Sequence, residues 1–249
     1  MPMPALTSEQ NARRHLTSLP ISGYNMPMPD PFPPLRAVLF DLDGTLVETH
    51  IDFPAMTRAM QILARENTVP NAVTEGKDIL GLVEAAAADL NSRGEDGAAL
   101  RRTAFDQLEA MEVAGCSSPT LLPGTRELMT VLMARGTKVG VVTRNCRRVS
   151  VGLLARYTLP HHLLLTRDDV LLTKPNPAHL WDALRLLGEK PDDTAMVGDH
   201  FMDIEAGVKA GCAVTLGVLG RNSPDWFAPC PPSALAKDLA SAFSLFGLD

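Results

Sequence analysis

The chain has 249 residues, 45% hydrophobic and 21% charged, which fits one globular core carrying an insertion and excludes disorder of the whole chain. A formal net charge of -6 and a pI near 5.5 give no general attraction for nucleic acid or an anionic membrane, so neither is expected as a partner. A phosphate-bearing partner would need a local site.

In chain order, residues 1–34 are rich in Pro, Met and polar residues, and MPMP occurs at 1–4 and again at 26–29. A poorly ordered leader ending in a stiff extended segment is expected there, with Met26 as an alternative start. It lacks the apolar centre of a signal peptide, and no apolar run in the chain reaches the roughly 18 residues that span a bilayer. RAVLFDLD, from Arg36 to Asp43, predicts a strand buried on both faces. Residues 48–121 then offer no comparable strand. Their Ala-rich segments FPAMTRAMQILAREN, AVTEGKDILGLVEAAAADLNSRG and ALRRTAFDQLEAMEVAG predict three amphipathic helices, a cap inserted after the first strand. Leu122-Pro123-Gly124 marks the return to a core made of residues 35–47 and 122–249.

From there strand-like and helix-like segments alternate. KVGVVTRN, LLLTRDD, TAMVGD and AVTLGV predict strands; GTRELMTVLMARG, CRRVSVGLLARY, NPAHLWDALRLLG and FMDIEAGVKAG predict helices. Gly136, Gly188 and Gly211 follow three of these helices, where a left-handed stop is wanted. The pattern is α/β, a doubly wound, Rossmann-like parallel sheet with a helical cap after its first strand. Cys116, Cys146, Cys212 and Cys230 stand far apart with no zinc spacing, and a reducing cytoplasm is the expected setting. The sequence carries no signal for oligomeric state.

Ligands of such sheets bind at the carboxyl ends of the strands. Asp41 and Asp43 end the first predicted strand, Thr143, Arg144 and Asn145 the second, and Lys174-Pro175 follows the third. The fourth delivers Asp199, with Asp203 just beyond. Two ionised carboxylates one residue apart repel and call for a cation. Four carboxylates, one hydroxyl and one ammonium suit a hard divalent cation, most simply Mg²⁺, beside a phosphoryl group. Asp41 could then attack phosphorus and form an aspartyl-phosphate, while Asp43 protonates the leaving oxygen and later deprotonates water.

With DLDGT at 41–45, VVT at 141–143, KP at 174–175 and GDHFMD at 198–203, in that order, the sequence resembles the haloacid dehalogenase (HAD) superfamily. The resemblance runs from about residue 36 to about residue 220 and is nearest to the phosphoglycolate phosphatase-like branch with a helical cap. It implies Asp41 as nucleophile and metal ligand, and Asp43 as acid/base with its main-chain carbonyl on Mg²⁺. It also implies Thr143 as a phosphate ligand, Lys174 as the charge that neutralises the nucleophile and the phosphoryl group, and Asp199 and Asp203 as the remaining metal ligands. Arg144 and Asn145, at the same strand end as Thr143, complete the candidate substrate-binding set. The implied activity is hydrolysis of a small phosphorylated metabolite, phosphoglycolate-like or a sugar phosphate. A phosphomutase of the β-phosphoglucomutase type and a non-catalytic phospholigand-binding module are the alternatives.

Several residues keep two readings. Asp203 also suits the start of the following helix. Arg144 is either a substrate-contacting charge or a surface ion pair. His50 and His200 fit the rim or the packing better than acid/base work. Glu48, Arg144 and His200 depart from the common family pattern without removing a catalytic group.

Overall fold

The computed structural model describes residues 32–248. The expected disordered leader therefore lies almost wholly outside the described residues. Of its last residues, Phe32 meets Phe246 edge to face at 5.2 Å, and its amide donates to the Leu245 carbonyl.

Six parallel strands form the sheet: β1 (Ala37–Phe40), β4 (Lys138–Val142), β5 (Leu163–Leu165), β6 (Thr194–Gly198), β7 (Val214–Val218) and β8 (Ala234–Ala236), in the spatial order β5-β4-β1-β6-β7-β8. The strands are short and apolar because helices cover both faces. Alternation along β1 sorts its residues between two cores. Val38 and Phe40 pack with Leu128 and Met129 of α5 (Thr125–Ala134) and Leu153 of α6 (Arg147–Arg156). Ala37 and Leu39 pack with Leu180 and Leu184 of α7 (Ala178–Leu187) and Ala206 of α8 (Phe201–Ala210). Gly188 and Gly211 end α7 and α8 in the left-handed conformation that their positions predict.

Between β1 and α5 the chain builds four helices, α1 (Phe53–Glu66), α2 (Asn71–Thr74), α3 (Ile79–Ser92) and α4 (Gly97–Gly115), around a separate apolar cluster that includes Met56, Met60, Leu82, Leu90 and Leu108. Asp52, Asp78 and Asp96 cap α1, α3 and α4, each accepting a backbone N–H at 2.8 Å. The second predicted helix is interrupted. Gly76, at φ +71°, turns the chain between α2 and α3, and Asp78 starts the new helix. Helical apolar spacing continues across that break, so spacing alone missed it. A two-residue antiparallel pair, β2 (Val47–Glu48) with β3 (Thr120–Leu121), fastens the two ends of the insertion together. These short strands and β8 carry too few residues for a periodic signal. Among the described residues no helix is long and apolar enough to cross a membrane.

Candidate active site

Register sets the position of the acids. Phe40 pairs with Val141 on one side and Val197 on the other, so Asp41, Thr143 and Asp199 leave adjacent strands within a residue or two of one level. The Asp41 amide donates to the Val197 carbonyl at 2.9 Å, carrying the ladder one residue past β1. Here the chain order reverses beside β1, the usual ligand-binding edge of an open α/β sheet.

Lys174 enters from the loop after β5 and is buried. Its Nζ lies 2.7 Å from Asp41 Oδ1 and 2.7 Å from Asp203 Oδ1. Burial opposes the ammonium, but Asp203 and Asp41 outweigh it and hold the Lys174 pKa above its ordinary value. The Asp203 carboxylate has a second task, accepting the His200 amide at 3.1 Å to cap α8. This is the helix-start role that the sequence offered for Asp203.

Asp199 accepts the Thr45 hydroxyl at 3.0 Å. Burial first, and then the charges of Asp41 and Asp203, hold its carboxyl well above the usual carboxylate range. Asp41 is also raised, by burial, against the opposing pull of Lys174. One oxygen from each of Asp41, Asp199 and Asp203 lies within 4.8 Å of the others. Lys174 contributes one positive charge against three carboxylates. Hard oxygen donors with negative charge left over fit a hard divalent cation. Gly44 makes this packing possible: it sits at φ +82°, and a Cβ there would stand 2.2 Å from Asp199 Oδ2.

The Asp43 carboxylate belongs to a different network. It accepts the Thr49 amide at 3.1 Å and the Thr49 hydroxyl at 2.8 Å. Burial pushes its pKa up to about 7, with the Thr49 hydrogen bonds working against the rise. A cavity of about 310 Å³ adjoins it, lined by Asp43, Thr49, Ile51 and Phe53 on one side and by Asp199, Arg221 and Asn222 on the other. A cavity of about 410 Å³ beside Arg101, Phe105 and Arg167 reaches none of the four acids.

The remaining predicted residues divide. Thr143 is fully buried, and its hydroxyl donates to Asn145 Oδ1 at 2.7 Å. Arg144 turns toward the insertion, where its guanidinium pairs with Asp78 and lies 2.8 Å from Met202 Sδ. His50 is exposed. His200 Nδ1 accepts the Met202 amide at 3.2 Å, and its ring meets Trp226 edge to face at 5.2 Å. Sequence reasoning passed over Thr45 and Thr49, although both hydroxyls closely follow the acid pair. It also passed over His179, whose Nδ1 accepts the Lys174 amide at 3.3 Å. Burial, helped by the Lys174 ammonium, pushes the His179 pKa down to about 3, so the ring stays neutral and able to accept. No local pattern marks that histidine.

An acidic cluster at the strand ends of a Rossmann-like parallel sheet is thus in place, and a family model for the haloacid dehalogenase-like hydrolases matches residues 35–211. The chain belongs to that family and is an enzyme of it. It is 33% identical to the N-acetylmuramic acid 6-phosphate phosphatase of Pseudomonas aeruginosa, covering 77% of this chain and 85% of that one. With the phosphoglycolate phosphatase of Aquifex aeolicus it shares 32% identity, over 82% of this chain and 96% of that one. Its fold resembles the crystal structure of a predicted phosphoglycolate phosphatase from Haemophilus somnus, with a TM-score of 0.58, 22% identity, and coverage of 86% and 98%.

Proposed function

We propose that the protein is a Mg²⁺-dependent phosphomonoesterase that hydrolyses a small phosphorylated metabolite through an aspartyl-phosphate on Asp41. The observation that carries this reading is the chain Asp41–Lys174–Asp203, with Asp199 alongside and Asp43 held apart by Thr49. Lys174 pins one oxygen of Asp41 and so orients the carboxylate as a nucleophile. Attack on phosphorus forms the acyl-phosphate and breaks the bond to the leaving oxygen. Asp43 gives that oxygen its proton. As a carboxylate, Asp43 then takes a proton from the water that attacks the aspartyl-phosphate, releasing orthophosphate and regenerating Asp41.

Thr143, Asn145 and Lys174 hold the phosphoryl oxygens in this reading, and Arg144 joins them as a substrate-side charge. Asp41, Asp199 and Asp203 would hold Mg²⁺ together with the main-chain carbonyl of Asp43, whose side chain is engaged by Thr49. When bound, the ion neutralises charge on the phosphoryl group. Residues 48–121 act as a cap that excludes water, while residues 35–47 and 122–248 form the catalytic core. The cavity of about 310 Å³ beside Asp43 suits a compact leaving group, phosphoglycolate-like or a sugar phosphate. Relatives named for N-acetylmuramic acid 6-phosphate, phosphoglycolate and pyrophosphate support that size class. Four free thiols support a cytoplasmic setting.

The test is release of orthophosphate from a panel of phosphomonoesters in Mg²⁺, comparing wild type with Asp41→Asn. Wild type should turn over members of the panel, and the variant should fold but be inactive, because an amide cannot form the acyl-phosphate. More than a small residual rate in the variant would sink the nucleophile assignment. A rearranged sugar phosphate in place of free phosphate would identify a mutase.

A further inference from the structure

Glu112 lies on α4 of the insertion and is 2% exposed, yet the hydrogen bonds of its carboxylate run into the core. Its Oε2 accepts the Cys146 amide at 3.0 Å. Its Oε1 pairs with the guanidinium of Arg167, which is itself 4% exposed and donates through Nη1 to the Arg144 carbonyl at 3.2 Å. The Arg167 amide donates to the Asn145 carbonyl at 3.4 Å.

These bonds converge on the backbone of the short loop between β4 and α6. Cys146 is the N-cap of α6, but its side chain makes no capping hydrogen bond. The carboxylate that meets this helix start comes instead from Glu112, which is 34 residues earlier in the chain and on the other side of the seam between insertion and core. Asp168 accepts the next amide, that of Arg147, at 2.7 Å. Two carboxylates, one guanidinium and the Arg167 amide therefore hold consecutive main-chain groups from Arg144 to Arg147. The Thr143 amide continues the ladder to the Leu165 carbonyl at 2.9 Å, and beyond it the Thr143 hydroxyl and Asn145 bond to each other. Asn145, and through it the orientation of the Thr143 hydroxyl, therefore depends on the backbone from Arg144 to Arg147.

We propose that Glu112 is a positioning residue of the phosphoryl site: from within the helical insertion it holds the Thr143–Cys146 loop in the geometry that binds phosphate. This rests on the reading of the protein as a phosphatase. It gives the insertion a second task besides covering the site, because one of its helices supplies part of the frame on which the phosphoryl group is held. A buried carboxylate bonded to an amide and a guanidinium has little freedom to move, so reach matters as much as charge. Shortening the side chain by one methylene withdraws the acceptor from Cys146 while the charge stays.

The experiment compares Glu112→Asp and Glu112→Ala with wild type by calorimetric titration of inorganic phosphate in Mg²⁺, and by kcat and KM on the best substrate of the panel, all per folded molecule. Glu109→Gln is the control. Glu109 lies one helical turn away on the same helix, and its partner is the exposed Arg148 at 3.3 Å. Both Glu112 variants should bind phosphate roughly 10-fold to 100-fold more weakly, the scale on which misplacements of about 1 Å act. The control should match wild type. If Glu112→Ala does not fold, Glu112→Asp decides the matter. Phosphate affinity within about twofold of wild type in a folded Glu112 variant, with only thermal stability lowered, overturns the proposal. Failure of the phosphatase reading appears elsewhere, as a wild-type protein that releases no phosphate from any member of the panel.

Discussion

Replacing Lys174 by Met removes one buried ammonium from between the buried carboxylate of Asp203 and the mostly buried one of Asp41, and leaves a side chain of similar length. Lys174 is 1% exposed, and both of its ion pairs measure 2.7 Å. Removing one partner of a buried pair typically costs about 3–5 kcal/mol, because the charge left behind is desolvated and uncompensated. For a chain of this size that corresponds to a fall in Tm of roughly 6–20 °C. The cause is checked by a second substitution. If stranded charge is responsible, Asp203→Asn in the Lys174→Met background should restore about 1–3 kcal/mol, although the same change in wild type destabilises. The assay is urea unfolding in EDTA, so that no added cation takes the place of Lys174, with the four proteins arranged as a double-mutant cycle. Strictly additive losses, or a single-variant loss below about 1 kcal/mol, would refute the assignment of this energy to charge.

Other outcomes follow from the same geometry. Gly44→Ala should cost about 1–2 kcal/mol in backbone strain alone. Its Cβ would also displace Asp199, since the ideal position is 2.2 Å from Oδ2, so activity should fall by roughly 100-fold; thermal melts and steady-state kinetics read the two effects. Asp43→Asn should slow alkyl phosphates by about 10²–10⁴-fold but p-nitrophenyl phosphate much less, because a phenolate leaves with little help from an acid. Single-turnover release of the leaving group measures this, and equal losses for both substrates would remove Asp43 from the acid role. EDTA should abolish turnover and Mg²⁺ restore it, with Ca²⁺ a poor substitute because its coordination is larger and looser. Full activity after exhaustive chelation would contradict the cation site.

The sheet could be read from the sequence because each strand is a short apolar run that ends in a polar group, and each covering helix repeats its apolar residues at helical spacing. That pattern identified the strands carrying Asp41, Thr143 and Asp199, and the rule that ligands gather at carboxyl ends was enough to expect these residues near one another. What the chain order could not specify was which charge would meet which. Lys174 is 133 residues from Asp41, and it takes Asp203 as its second partner only because the loop after β5 and the start of α8 meet beside β1. Arg144, read in sequence as either a substrate-side charge or an ion pair, finds the helix cap Asp78 as its partner. Glu112 looks in sequence like any other charge on an amphipathic helix, until packing of α4 on α6 buries it. Hydrophobic periodicity is a local property and survives in the sequence, so it determined the longer strands and helices and the face each one buries, but not the α2–α3 break or the short strands β2, β3 and β8. The partner of a buried charge depends on which backbones the fold brings within about 3 Å, and that is decided by the tertiary packing of the core on itself for Lys174 and of the insertion on the core for Glu112.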